Sequence, residues 1–145
     1  MTHESAPVRG TVENLSTSEA TALLGASPVG RLGVAIAGEV DIFPVNHVLD
    51  DGDVLFTTAP GSKLAELTVS TRVVFEVDGW DDDVAWSVVA RGTARVLDHE
   101  SDVLHAESLG LESWSSTRKS AWVRVSPDAV SGRRIYRTGT DPEAW

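Results

Sequence analysis

Two spacings of apolar residues alternate along the chain, and each change of spacing marks a change of element. Ser16-Thr17-Ser18-Glu19 stands ahead of Ala20, Leu23 and Leu24. A serine cap, a glutamate at the third position and apolar residues three and four apart predict a short helix, which Gly25 stops. From residue 29 the period drops to two. VGRLGVAI (29–36), EVDIFPVNHV (39–48) and VLFTT (54–58) are rich in β-branched and aromatic residues, and AG and LDDGD separate them as hairpin turns. Further strands are expected at RVVFEVD (72–78), VAWSVVARGTARVL (84–97) and AWVRVSP (121–127), with SGRRIYR (131–137) as a short final one. HESDVLHAESLGL reads as a helix inserted late, and Ser62 reads as the cap of a shorter helix carrying Leu64 and Leu67.

About six strands joined mostly by short turns predict a mainly β domain built as an antiparallel barrel, not a βαβ fold. One segment has to bend. Residues 84–97 exceed a typical strand, and Gly92 stands where a bulge would let one strand serve two sides of the barrel. Along it Val84, Trp86, Val88, Ala90, Gly92, Ala94 and Val96 face one way, and Ser87, Val89, Arg91, Thr93 and Arg95 face the other. Pro44, inside IFPVN, cannot donate to a ladder, so its strand is an edge or runs beside something other than a strand. Residues 14–137 form one domain between loosely held segments at 1–13 and 138–145.

The charge balance narrows the partners. Twelve Lys+Arg stand against 22 Asp+Glu for a formal charge of −10, which argues against a nucleic-acid or anionic-membrane binder and requires any anion to be held by a local cluster. There is no cysteine for thiol chemistry. MTHESAPVRG is polar and no apolar run approaches membrane-spanning length, so the expected compartment is the cytoplasm. His3, His47, His99 and His105 lack metal-site spacing, and no Gly-x-Ser-x-Gly elbow is present. His47 beside Asn46 reads either as a strand-end polar residue or as an acid in need of a partner. Aromatic residues make up only 6% of the chain, yet five are tryptophan, the type that anchors cores, interfaces and ring-shaped ligands. Trp86 and Trp122 fit either of the first two roles.

TTAPGSKLAEL (57–67) carries the sharpest anomaly. It places Lys63 in the first turn of a helix, where the positive end of the peptide dipole disfavours a cation by roughly 0.3–1 kcal/mol unless an anion lies nearby. APGSK is no nucleotide P-loop, lacking the second glycine and the Lys-Ser/Thr order. Two readings remain. Gly61 and Ser62 amides, the Ser62 or Thr58 hydroxyl and Lys63 form a phosphate grip, or Ser62 is only a cap and Lys63 bends into water. Arg31, Arg72, Arg91, Arg133 and Arg134 are possible further anion partners, and strand alternation lets only one of Arg133 and Arg134 reach a given site.

In this order and spacing, SPVGRLGVAIAGEVDIFPVNHVLDDGDVLFTTAPGSKLAEL, VVFEVDGW, WSVVARGTARV and VSGRRI resemble the pyridoxamine 5′-phosphate oxidase-like family of flavin-binding split β-barrels, over roughly residues 14 to 137. The resemblance implies a six-stranded antiparallel split barrel of Greek-key type, with a short N-terminal helix and one or two others. It also implies a homodimer with flavin mononucleotide (FMN) at the subunit interface. Carried onto this chain, Phe43, Pro44, Val45 and Asn46 run beside the isoalloxazine ring. Phe56, Thr57 and Thr58 lie under the ring and ribityl chain, and Ser62 and Lys63 hold the phosphate. Trp86 and Ser87 come from the second subunit, and Arg133 contacts a phosphate or the substrate. Authentic pyridoxamine phosphate oxidases are longer and grip the substrate phosphate with a C-terminal Arg/His segment that SGRRIYRTGTDPEAW does not supply, which points away from vitamin B6 oxidation. The implied activity is an FMN-dependent oxidoreductase acting on a small molecule by hydride transfer at flavin N5. The alternatives are a deazaflavin-coenzyme reductase, a non-enzymatic flavin- or haem-binding module, and a barrel that serves only for dimerisation.

Overall fold

The computed structural model describes residues 10–62, 64–65, 71–111 and 121–137. Strand β1 (Val12–Asn14) leads into helix α1 (Thr17–Leu23), and β2 (Val29–Ile36), β3 (Glu39–Asp50), β4 (Asp53–Thr58), β5 (Thr71–Trp80) and β6 (Val84–Val96) follow. Helix α2 (Glu100–Glu107) precedes the last strand, β7 (Ala121–Tyr136). All pairings are antiparallel, in the order β1-β7-β4-β3-β2-β5-β6, and β6 pairs back onto β7. The sheet therefore closes into a barrel. It has seven strands, not six: β2 to β7 make the ring, and β1 adds to the second half of β7 through Val12↔Ile135, Glu13↔Arg134 and Asn14↔Arg133.

Local chemistry explains the element boundaries. Ser16 Oγ accepts from the Glu19 amide at 3.1 Å and Glu19 Oε1 accepts from the Ser16 amide at 3.4 Å, so two helix-end donors are satisfied reciprocally at the start of α1. The β2–β3 turn has Ala37 at φ 51° and Gly38 at φ 81°, and the β3–β4 turn has Asp51 at φ 49° and Gly52 at φ 82°. Two successive left-handed residues match the twist of a tight hairpin, which AG and DG allow.

The segments 121–127 and 131–137, expected as two strands, are one. In β7 the residue Asp128 is extra: Arg91 pairs with Ala129, Gly92 pairs with Pro127, and the register shifts between Arg91 and Gly92. A bulge there absorbs the inserted residue and tolerates the missing proline N–H, so the strand continues. Arg72 of β5 pairs with the bulged Asp128 through both terminal guanidinium nitrogens.

Inside the barrel Leu32, Phe56, Phe75, Val77, Val88 and Val123 are fully buried in one cluster, which Ala20 and Leu24 close from the α1 end. Leu55, Leu97, Ala106 and Trp122 form a second cluster where α2 covers the outside of β4 and β7, so Trp122 is a core residue of the single chain. On the outer face of β3, β2 and β5, by contrast, Val40 is 71%, Ile42 70% and Val74 39% exposed. Apolar side chains together on an open sheet face are the mark of a surface that something covers. Among the described residues no helix is long and apolar enough to cross a membrane.

Candidate functional site

Strand β3 has two different edges. Val29–Ile36 of β2 pair with its residues Glu39–Asn46, whereas β4 pairs only with His47–Asp50, so Phe43, Pro44, Val45 and Asn46 have no strand on their second side among the described residues. Pro44 sits on that edge opposite Arg31, which is where a strand tolerates a missing donor. The open edge ends beside β4. His47 pairs with Phe56, and β4 then runs on through Thr57 and Thr58 to the turn that carries Ser62.

That turn is built from hydroxyls. Thr58 Oγ1 and Ser62 Oγ share a hydrogen bond at 2.9 Å, and Ser62 Oγ accepts from the Ala65 amide at 3.1 Å. Ser62 is thus the predicted cap. Its own amide donates to the Ala59 carbonyl at 3.1 Å, so the hydroxyl pair, not the Ser62 N–H, is what this turn can offer an anion. Gly61 has φ 72°, a left-handed conformation that suits glycine. Leu64 and Ala65 are helical and buried; Lys63 and Leu67 lie outside the described residues.

The remaining candidates lie elsewhere on the barrel. Ser87 of β6 pairs with Arg133 of β7, which pairs in turn with Asn14 of β1. Side chains alternate, so Ser87 and Arg133 share the outer face while Trp86 and Arg134 turn the other way. Trp86 packs on the barrel core, its indole ring lying over Gly79, where an added Cβ would stand 2.8 Å from the ring. Arg134 is occupied by Glu13 at 3.3 Å and Glu19 at 3.7 Å. Arg133 is therefore the one of the two adjacent arginines that joins Ser87.

Pro44 and Ser87 are on the same outer face but on strands three ladder steps apart, about 14 Å at the usual inter-strand spacing. Phe43, Val45 and Phe56 point inward, and the Phe56 side chain is completely buried. What Phe56 can present to a ligand is main chain. Thr57 lies on the same strand face as Leu55, and Thr58 continues the inner row to the hydroxyl pair.

Between the two groups sits a charge cluster that sequence reasoning missed. Arg31 Nη1 lies 3.3 Å from Glu76 Oε1 and 3.0 Å from Asp78 Oδ1. Burial first, then the hydrogen bond and negative charge of Asp78, push the Glu76 carboxyl up to about 7, against the opposing pull of Arg31. Because the folded value lies above the ordinary 4.5, the folded chain holds an extra proton between those limits, and stability falls as pH rises from about 4.5 to about 7. Glu76→Gln removes that titration. The melting temperature of the variant relative to the wild type should climb across this window and level off above it; a difference independent of pH would refute the shift. The signal available in sequence was strand alternation: Arg31, Glu76 and Asp78 all occupy outward positions of β2 and β5.

Residues 16–134 match the family model described as pyridoxamine 5′-phosphate oxidase. The chain belongs to the pyridoxamine 5′-phosphate oxidase family. Protein Rv0080 of Mycobacterium tuberculosis is 30% identical over 138 residues, covering 90% of each chain. Among solved structures, the FAD binding protein from Mycobacterium smegmatis is 38% identical with a TM-score of 0.79, covering 86% of this chain and 98% of its own. An FAD-binding protein from Mesorhizobium loti is 27% identical with a TM-score of 0.72, again over 86% and 98%.

One further polar group lies inside this oxidase-family barrel. His47 is 4% exposed, and its Nε2 donates to the Leu24 carbonyl at 2.6 Å at the end of α1. Burial holds its pKa below the usual 6.5 against the raising effect of the Leu24 and Val45 carbonyls, so the ring is neutral. The Phe75 ring meets it edge-on, with centroids 4.8 Å apart. His47 fastens α1 to the barrel and stands away from the outer face that carries Pro44 and Ser87.

Proposed function

We propose that the protein is a flavin-dependent oxidoreductase, binding FMN at two equivalent sites between two copies of the chain and acting on a small molecule. The observation that carries this reading is the edge of β3 at Phe43–Val45 that no strand covers among the described residues, next to the Thr58–Ser62 hydroxyl pair. The residues fit the group. A strand edge with no neighbouring strand offers main chain to the polar rim of a flat heterocycle, and two hydroxyls at a helix start offer hydrogen bonds to a phosphate. The family, and the M. smegmatis and M. loti relatives described as FAD-binding, support a flavin in the same barrel.

A bound flavin supplies a ring N5 able to accept or give hydride, so the protein's share is binding and orientation. Pro44 keeps the edge of β3 from pairing with another strand, Ser62 and Lys63 hold the phosphate, and Thr57 and Thr58 position the chain between phosphate and ring. The second group, Trp86, Ser87 and Arg133, lies too far around the same barrel to meet the first across one ring. A second copy, seated on the exposed Val40, Ile42 and Val74 face, would bring its Ser87 and Arg133 to this chain's Pro44.

The test is the visible spectrum of the purified protein, followed by titration with FMN, FAD and the deazaflavin coenzyme. The expected result is flavin absorbance or saturable binding, with a melting temperature that rises with flavin concentration in the wild type and rises less in Ser62→Ala. A colourless protein that binds none of the three would overturn the proposal. Reduction by NADPH or NADH and reoxidation in air support the oxidoreductase; tight binding without reduction would replace it with a flavin-carrying module.

A further inference from the structure

Four of the described arginines are paired with carboxylates: Arg31 with Glu76 and Asp78, Arg72 with Asp128, Arg124 with Asp50 and Asp53, and Arg134 with Glu13 and Glu19. Arg91 and Arg133 are not: neither has an ion pair among the described residues, in a chain whose formal charge is −10. Both line one cleft of about 310 Å³ on the outer face of β6 and β7, together with Ser87, Ser131 and Asn14 over a floor at Val89. Among the described residues no carboxylate lines it. Two arginines with no carboxylate partner among the described residues, lining one cleft with hydroxyl and amide groups, make a local positive site in an acidic chain.

The spacing narrows the ligand. Arg133 stands opposite Ser87, and Arg91 lies four residues further along β6, about 13 Å at the usual rise per residue. Two long side chains lining one cleft from that separation suit an extended anion with two linked charged centres. They suit a single carboxylate less well. We propose that this cleft is a diphosphate subsite, separate from the phosphate grip at Ser62, with Arg91 as its specificity residue. It takes the diphosphate bridge of a dinucleotide. Its source is a nicotinamide dinucleotide serving as electron donor, because the diphosphate of FAD includes the flavin's own 5′-phosphate, which the proposed flavin site seats at Ser62. The inference rests on the flavin reading for its role in the reaction, though not for the anion site itself.

Titration calorimetry of the full chain with inorganic pyrophosphate tests the site without any flavin. Saturable binding is expected in the wild type, weakened about tenfold or more in Arg91→Gln, as removal of a charge-assisted contact predicts, and unchanged in Arg95→Gln, an exposed arginine of β6 outside the cleft. Parallel titrations identify the source. Weaker FAD binding by Arg91→Gln with FMN binding unchanged would give the cleft to the flavin's diphosphate and overturn the electron-donor assignment. If the electron donor supplies it, FMN and FAD binding are both unchanged, while the KM for NADPH or NADH rises about tenfold with kcat unaltered. Pyrophosphate that fails to bind the wild type, or binds Arg91→Gln and the wild type alike, overturns the proposal. Failure of the flavin reading has a different signature, since neither flavin would then bind while pyrophosphate still did.

Discussion

Gly92→Ala is expected to destabilise the protein by about 3 kcal/mol, the upper end of overpacking costs, and to lower its melting temperature by about 10 °C. An added Cβ at residue 92 would stand 2.1 Å from the Ser126 carbonyl oxygen and 2.7 Å from Pro127 Cα. Both obstacles are main chain, so no side-chain rotation relieves them, and either β6 or β7 must move. The position is also the register point of the barrel. On one side of it Ser87 meets Arg133 and Val89 meets Ser131; on the other Ala94 meets Val125 and Val96 meets Val123, one residue out of step. If the backbone relaxes by expelling the bulge, the outer ends of the two strands slip by one residue, which would turn Ser87 and Arg133 to opposite faces. Thermal denaturation read alongside flavin titration separates the two costs. A Gly92→Ala protein with wild-type melting temperature would show that the strands are not in close contact there.

Much of this barrel is legible in the sequence because its signals are local. The Ser16–Glu19 capping box, the AG and DG turns and the alternation from Val84 to Val96 are each set by neighbours within a few residues, and each occurs where expected. What was not legible is non-local. Strand β1 is three exposed residues, Val12, Glu13 and Asn14, with no amphipathic pattern; it is a strand only because β7 offers an edge at Arg133–Ile135. Pro127 and Asp128 read as the end of a strand, and only the opposing glycine of β6 makes room for them to continue it. The same limit applies to the site. Pro44 announces an unusual edge by its chemistry alone, whereas the Arg31, Glu76 and Asp78 cluster forms only once β2 and β5 are in register, which no short segment specifies. The pairing of Arg91 with Arg133 across one cleft depends in the same way on the bulge that sets β6 against β7.

Phe56→Ala is expected to cost 3–5 kcal/mol, as truncation of a fully buried phenylalanine generally does, and to lower the melting temperature by about 10 °C or more. Phe56 occupies the inner face of β4 with Val54, in the cluster that holds Leu32, Phe75 and Val123, and it pairs across the strands with His47. Deleting its ring leaves a cavity at the centre of the barrel, beside His47, which ties α1 down. None of this surface faces outward. The residue's place in a flavin site therefore depends on its main chain, which alanine retains, so the folded fraction of Phe56→Ala should bind flavin with near wild-type affinity at a temperature well below its midpoint. Thr58→Ala should do the reverse, because its hydroxyl touches Ser62 at the barrel end and it carries little of the core. That substitution is expected to weaken flavin binding several-fold, the loss of about one hydrogen bond, with a small change in melting temperature. A Phe56→Ala protein that keeps its stability and loses flavin would place the aromatic ring against the cofactor and the core elsewhere. The opposite pairing of effects would assign the inner row of β4 to folding up to Phe56 and to ligand binding from Thr58 onward, so that a single strand changes task between two successive inward positions.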